Sequence, residues 1–198
     1  ADGVELDVHA TMDGEIVVLH DPSIMGLPIA QARMRDLSEL RLLNGEPLPT
    51  LAQALHTLGQ LRVYVEVKVL DPRWDDRLLE VLDRGPNPSG YAVHSFPFHV
   101  VKRLKEKRPT LPTGVLSEVS TRNPKQTLDD AGAQTLWQEQ STLDETLVKT
   151  VHDLGAQVIA WTVDNPSEME RLVTLDVDAI CTNHPERARP IVDGSRAV

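Results

Sequence analysis

The chain has 198 residues, with 30 acidic against 20 basic side chains and a formal net charge of −10. That balance argues against nucleic acid or an anionic membrane surface as a partner, because both are recognised through basic patches. Hydrophobic content of 40% and charged content of 25% are ordinary for a globular domain with one sizeable core, and the lone cysteine, Cys181, excludes an intrachain disulfide.

Strand-like and helix-like runs alternate along the chain. Residues 3–8 form the first strand: Val4, Leu6 and Val8 oppose Glu5, Asp7 and His9, as the period of two requires. Asp13-Gly14 is a tight-turn signal, residues 15–19 form a short strand, and His20-Asp21-Pro22 stands at its end. A helix is expected over 36–43. A second, over 51–58, opens on the capping box Thr50-Leu-Ala-Gln53. Residues 62–69 form the next main strand, with Val63, Val65, Val67 and Val69 on one face and Arg62, Tyr64, Glu66 and Lys68 on the other.

Further strands are expected over 91–94, 113–116, 134–137, 157–163 and 178–182, and further helices over 75–84, 97–108, 124–131, 143–154, 166–175 and 185–192. Asn123-Pro124 and Asn165-Pro166 each place a capping residue before a first-turn proline. Gly85 and Gly155 fall just past helix ends, where a left-handed residue is favoured. The stretch 84–90 holds two Pro and two Gly and reads as a loop within a single domain spanning 1–198.

Such alternation implies a parallel sheet, either an open doubly wound sheet or a closed barrel. The main strands number about seven, whereas a closed parallel barrel of the common type has eight. No apolar run approaches transmembrane length, and no signal peptide is visible. The single cysteine fits a reducing compartment, so a cytoplasmic location is expected. The sequence opens without Met on a residue that reads as lying inside an element, which leaves room for a targeting signal upstream.

Glu5, Asp7 and Glu66 each lie in an apolar, β-branched run. A carboxylate in a buried strand is costly unless something positive neutralises it. A hard divalent cation held through oxygen, Ca2+ or Mg2+, is the simplest partner. An edge strand with one face in water is the alternative for either strand alone. Two such strands in an α/β chain favour the cavity, because parallel strands there are covered on both sides. The absence of a Cys cluster argues against structural zinc. Three histidines (His56, His99 and His152) fall in helical patterns. His94 ends a strand before Ser95-Phe96, and Gln138 and Glu139 follow another; all three are lesser candidates for a pocket.

Ala-Asp-Gly-Val-Glu-Leu-Asp-Val over 1–8, Asp13-Gly14, Val18-Leu-His-Asp-Pro22, Leu48-Pro-Thr-Leu51, Glu66-Val-Lys68, Ser95-Phe96, Trp161-Thr-Val-Asp164 and Asp176-Val-Asp-Ala-Ile-Cys-Thr-Asn-His-Pro185 occur in this order. As a set spanning nearly the whole chain, they resemble the glycerophosphodiester phosphodiesterase family. The resemblance implies a TIM (β/α)8 barrel, here lacking its first strand-helix unit. It implies metal-dependent hydrolysis of a small-molecule glycerophosphodiester to glycerol 3-phosphate and an alcohol. By the same resemblance Glu5, Asp7 and Glu66 hold the metal, His20 is a general acid or base, and Lys68 contacts the phosphate. Trp161 is expected against the glycerol end, with core packing as its alternative, and Asp21 either orients His20 or starts the turn.

Two departures stand out. The family's first unit ends in His-Arg-Gly, supplying a second histidine and an arginine, and nothing here matches it. After Pro22 the chain reads Ser23-Ile-Met-Gly-Leu-Pro-Ile29, where relatives often carry an Arg-Thr-Thr-like stretch. Two other functions are therefore weighed: a phospholipase-type phosphodiesterase on the same barrel, and an inactive phosphoester-binding barrel.

Overall fold

The computed structural model describes residues 1–195. The described residues divide into two compact units, Asp2–Leu111 and, with Ala1, the stretch from Pro112 onward.

In the unit Asp2–Leu111, the main elements are strands β1 (Gly3–Ala10) and β2 (Ile16–Val18), the small hairpin β3 (Ser23–Ile24) and β4 (Leu27–Pro28), and helices α1 (Met34–Leu37) and α2 (Leu51–Leu58). They are followed by β5 (Arg62–Val69), α3 (Asp75–Arg84), β6 (Tyr91–Ser95) and α4 (Phe98–Lys107). The sheet runs β6-β5-β1-β2. β5 is parallel to both β1 and β6, and β2 folds back antiparallel on β1. The expected apolar face is seen on β5 as far as Val67: Val63, Val65 and Val67 are buried, together with Val8, Leu51, Leu55, Leu78, Leu82 and Leu104, whereas on β1 Val4 and Leu6 are only partly buried. Each such side chain contributes about 1.5–3 kcal/mol by leaving water. A smaller cluster of Val17, Ile24, Ile29, Leu37 and Leu48 holds the β3–β4 hairpin and α1.

Three local expectations are corrected. Val69 is not on the buried face but 70% exposed. The cause is a register shift: Val8 pairs Val67 and His9 pairs Val69, so Lys68 is the extra residue of a bulge that re-aims the strand end. The helix expected over 36–43 is a single turn, Met34–Leu37. Beyond it the chain reverses at Asn44-Gly45, with the Leu42 N–H donating to the Glu46 carbonyl (2.8 Å), and Leu43 is fully exposed. Gly85 is also not left-handed: its φ is −66°. Glycine is needed there because a Cβ would lie 2.6 Å from the Tyr91 hydroxyl. Gly155 has the expected positive φ, 73°.

The unit from Pro112 repeats strand and helix: β7 (Thr113–Ser117), α5 (Pro124–Ala131), β8 (Thr135–Glu139), α6 (Glu145–Asp153), β9 (Gln157–Trp161), α7 (Pro166–Thr174), β10 (Ala179–Ile180) and α8 (Pro185–Ser195). Its strands are parallel in the order β10-β9-β8-β7. The helix starts follow the sequence signals. Asn123 Oδ1 accepts the Gln126 N–H (3.2 Å), and Asn165 Oδ1 accepts the Ser167 N–H (2.9 Å).

Candidate active site

The strand register builds the candidate site within Asp2–Leu111. Asp7 on β1 pairs Glu66 on β5, and Glu66 pairs His94 on β6, so the three form one row across the sheet. Glu5 stands two residues before Asp7, on the same face. Three flanking strands hold these side chains more rigidly than loops would.

Lys68 reaches back from its bulge and bridges two of the carboxylates. Its Nζ lies 2.8 Å from Asp7 Oδ1 and 2.6 Å from Glu66 Oε1. Glu66 is buried, with 8% of its side chain exposed, and His94 more so, at 1%. His94 Nε2 lies 3.5 Å from Glu5 Oε1. That Glu5 oxygen is sealed from solvent and has no hydrogen-bond partner among the described residues. One carboxylate oxygen from Glu5, one from Glu66 and a ring nitrogen of His94 lie within 4.8 Å of one another.

Burial pushes the Glu66 carboxyl above its usual range, against the pull of Lys68 and with Asp7 adding to the rise. Lys68 is raised as well: burial pulls it down, but hydrogen bonds to Asp7 and Glu66 outweigh that and leave its ammonium above the ordinary lysine value. Three carboxylates thus share one ammonium, two acidic groups more than basic ones. That surplus, together with the orphaned Glu5 oxygen, fits a divalent cation.

The short strand after Asp13-Gly14 returns to this region. The Leu19 N–H donates to the Asp7 carbonyl (3.0 Å), and His9 Nε2 donates to the His20 carbonyl (3.2 Å). Burial holds the His9 imidazole below its ordinary pKa, more than its hydrogen bond to His20 raises it. His9 thus anchors the His20 loop. The His20 side chain is exposed, and its Nδ1 donates to Asp21 Oδ1 (3.0 Å). Asp21 therefore orients this ring and leaves Nε2 open to solvent.

Of the residues singled out from sequence, Glu5, Asp7, Glu66 and Lys68 come together directly. His20 stands on the loop that β1 anchors, outside the carboxylate cluster. Trp161 closes β9 in the other unit and is half-buried there. Gln138 is fully buried with its amide engaged by Thr121 Oγ1, the Ser117 and Val119 carbonyls and Thr142, so it ties loops to β8. Glu139 accepts from the Ser141 N–H (2.9 Å). The residue that sequence reading underweighted is His94. Its signal was the parity that puts it in register with Glu66 once β5 and β6 are paired.

Residues 1–187 match the model of the glycerophosphoryl diester phosphodiesterase family. A glycerophosphodiester phosphodiesterase of Caldanaerobacter subterraneus is 28% identical over 203 residues, covering 94% of this chain and 84% of its own length. Among solved structures, a glycerophosphodiester phosphodiesterase from Parabacteroides distasonis superposes with a TM-score of 0.89 at 31% identity, over all of this chain and 86% of the other. A phosphodiesterase of Oleispira antarctica, solved with the product sn-glycerol-3-phosphate, has a TM-score of 0.88 at 21% identity, over 97% of this chain and 85% of the other.

Proposed function

The chain belongs to the glycerophosphoryl diester phosphodiesterase family, phosphoric diester hydrolases on the (β/α)8 barrel fold, and from that premise we propose that it cleaves glycerophosphodiesters with the help of a divalent cation held by Glu5, Asp7 and Glu66. The products are sn-glycerol 3-phosphate and the free alcohol. The P–O bond to the alcohol breaks, the alcohol oxygen gains a proton, and water supplies the oxygen that completes the phosphomonoester.

One observation carries this reading: among the described residues, three strand-borne carboxylates share a single lysine, and a buried Glu5 oxygen has no hydrogen-bond partner. Bound there, the cation would polarise a phosphoryl oxygen and offset the charge that builds up on it. Lys68 adds a fixed positive charge beside the carboxylates and supports the same oxygens. The chain as a whole carries −10, so these local positive charges must draw in the anionic substrate. His20, with Nδ1 held by Asp21 and Nε2 free, moves the proton at the alcohol oxygen. An imidazole can both give and take a proton near neutral pH, which suits that role.

The test is glycerol 3-phosphate release from glycerophosphocholine by the full-length protein, with and without EDTA. Release that stops with EDTA and returns with added cation supports the reading. Undiminished release in EDTA, or cation binding without turnover, overturns it.

A further inference from the structure

Resting on the reading that this site holds a cation, we infer that His94 is a nitrogen ligand of that cation, which makes the centre one for a first-row transition ion such as Mn2+, Co2+ or Zn2+ in preference to Ca2+. Ca2+ takes oxygen ligands, and Mg2+ is likewise bound through oxygen. An imidazole beside two carboxylates shifts the preference toward transition ions.

The geometry points the same way. His94 is 1% exposed, is locked in register beside Glu66, and sets Nε2 3.5 Å from Glu5 Oε1. Two donors about 2.1 Å from a tetrahedral ion are about 3.4 Å apart. Glu66 brings its oxygen within 4.8 Å of both. Lys68 meanwhile meets both Asp7 at 2.8 Å and Glu66 at 2.6 Å. The donors that face one another without a lysine between them are therefore Glu5 and His94, with Glu66 shared. A purely structural histidine would need only the neighbouring carboxylate; it would not discriminate between metals.

Calorimetric titration of the full-length protein with CoCl2, MnCl2 and CaCl2 tests this, comparing wild type, His94→Gln and Glu66→Gln. Wild type is expected to bind Co2+ at least about tenfold more tightly than Ca2+. His94→Gln is expected to lose about tenfold or more for Co2+ and Mn2+ while changing little for Ca2+, and Glu66→Gln to weaken all three. If His94→Gln does not fold by circular dichroism, proton NMR of Co2+-loaded wild type decides. A strongly shifted His94 ring N–H supports ligation, and an unshifted ring overturns it. Binding that depends on Glu66 but not on His94 overturns the inference and leaves the proposed function standing. A wild type that binds none of the three ions overturns both.

Discussion

Replacing Lys68 with Met isolates the electrostatics of the site. The substitution keeps the aliphatic stem and removes the ammonium that lies 2.8 Å from Asp7 and 2.6 Å from Glu66. Two carboxylates then face each other, with Glu5 close by. Removing one partner of a buried ion pair costs about 3–5 kcal/mol. Lys68 and Asp7 are 20% and 19% exposed, so the low end, about 3 kcal/mol, applies. For a chain of this size, about 1 kcal/mol moves Tm by roughly 2–4 °C, which gives a fall of about 6–12 °C in chelator. A saturating divalent cation should narrow the gap. The variant centre carries one more uncompensated negative charge, so its Tm should rise more than that of wild type when cation is added. Differential scanning calorimetry in EDTA and in excess MnCl2 measures both effects. Equal Tm values in EDTA, or an equal cation-induced rise in the two proteins, would refute the reasoning.

Other expectations follow from single contacts. His20→Ala should lower turnover about 10²–10⁴-fold while cation affinity stays near wild type, because His20 lies outside the carboxylate cluster; matched calorimetric and kinetic titrations separate the two. Asp75, 1% exposed, is held by Arg103 through two 3.0 Å hydrogen bonds, so Arg103→Met should cost about 3–5 kcal/mol in urea unfolding. The buried His9 ring resists protonation in the folded state. The unfolded chain takes up the proton first as pH falls through about 6.5, so folding stability should decline below that pH. His9→Gln should flatten that decline, measured as urea midpoints between about pH 7 and pH 5; an unchanged slope would remove His9 from the account. Gly14, at φ +87° with a would-be Cβ 2.4 Å from the Trp74 ring, should tolerate Ala poorly, with a loss of about 1–3 kcal/mol by the same assay.

Much of the fold was legible because its signals are local. The Thr50/Gln53 capping box forms as the sequence implies, with Thr50 Oγ1 accepting the Gln53 N–H (3.2 Å) and Gln53 Oε1 accepting the Thr50 N–H (2.9 Å). It opens a helix over Leu51–Leu58 as expected. The alternation in 62–69 identified both the strand and the face carrying Glu66 and Lys68. What escaped depends on tertiary pairing. The bulge that frees Lys68 to bridge Asp7 and Glu66 appears only when β1 and β5 are laid side by side. His94 gained weight only once β6 was placed beside β5. The failed helix over 36–43 had a local clue in Asn44-Gly45, a turn signal strong enough to reverse the chain. Gly85 carried no such clue, because its constraint is the ring of Tyr91 six residues on.

The most direct test is a crystal of the full-length protein soaked in MnCl2, with anomalous scattering recorded to locate the ion. A single strong peak among the carboxylate oxygens of Glu5, Asp7 and Glu66, with His94 Nε2 at bonding distance, is the predicted outcome. A peak elsewhere, or none at those side chains under saturating manganese, would contradict the claim that these strands converge on one cation.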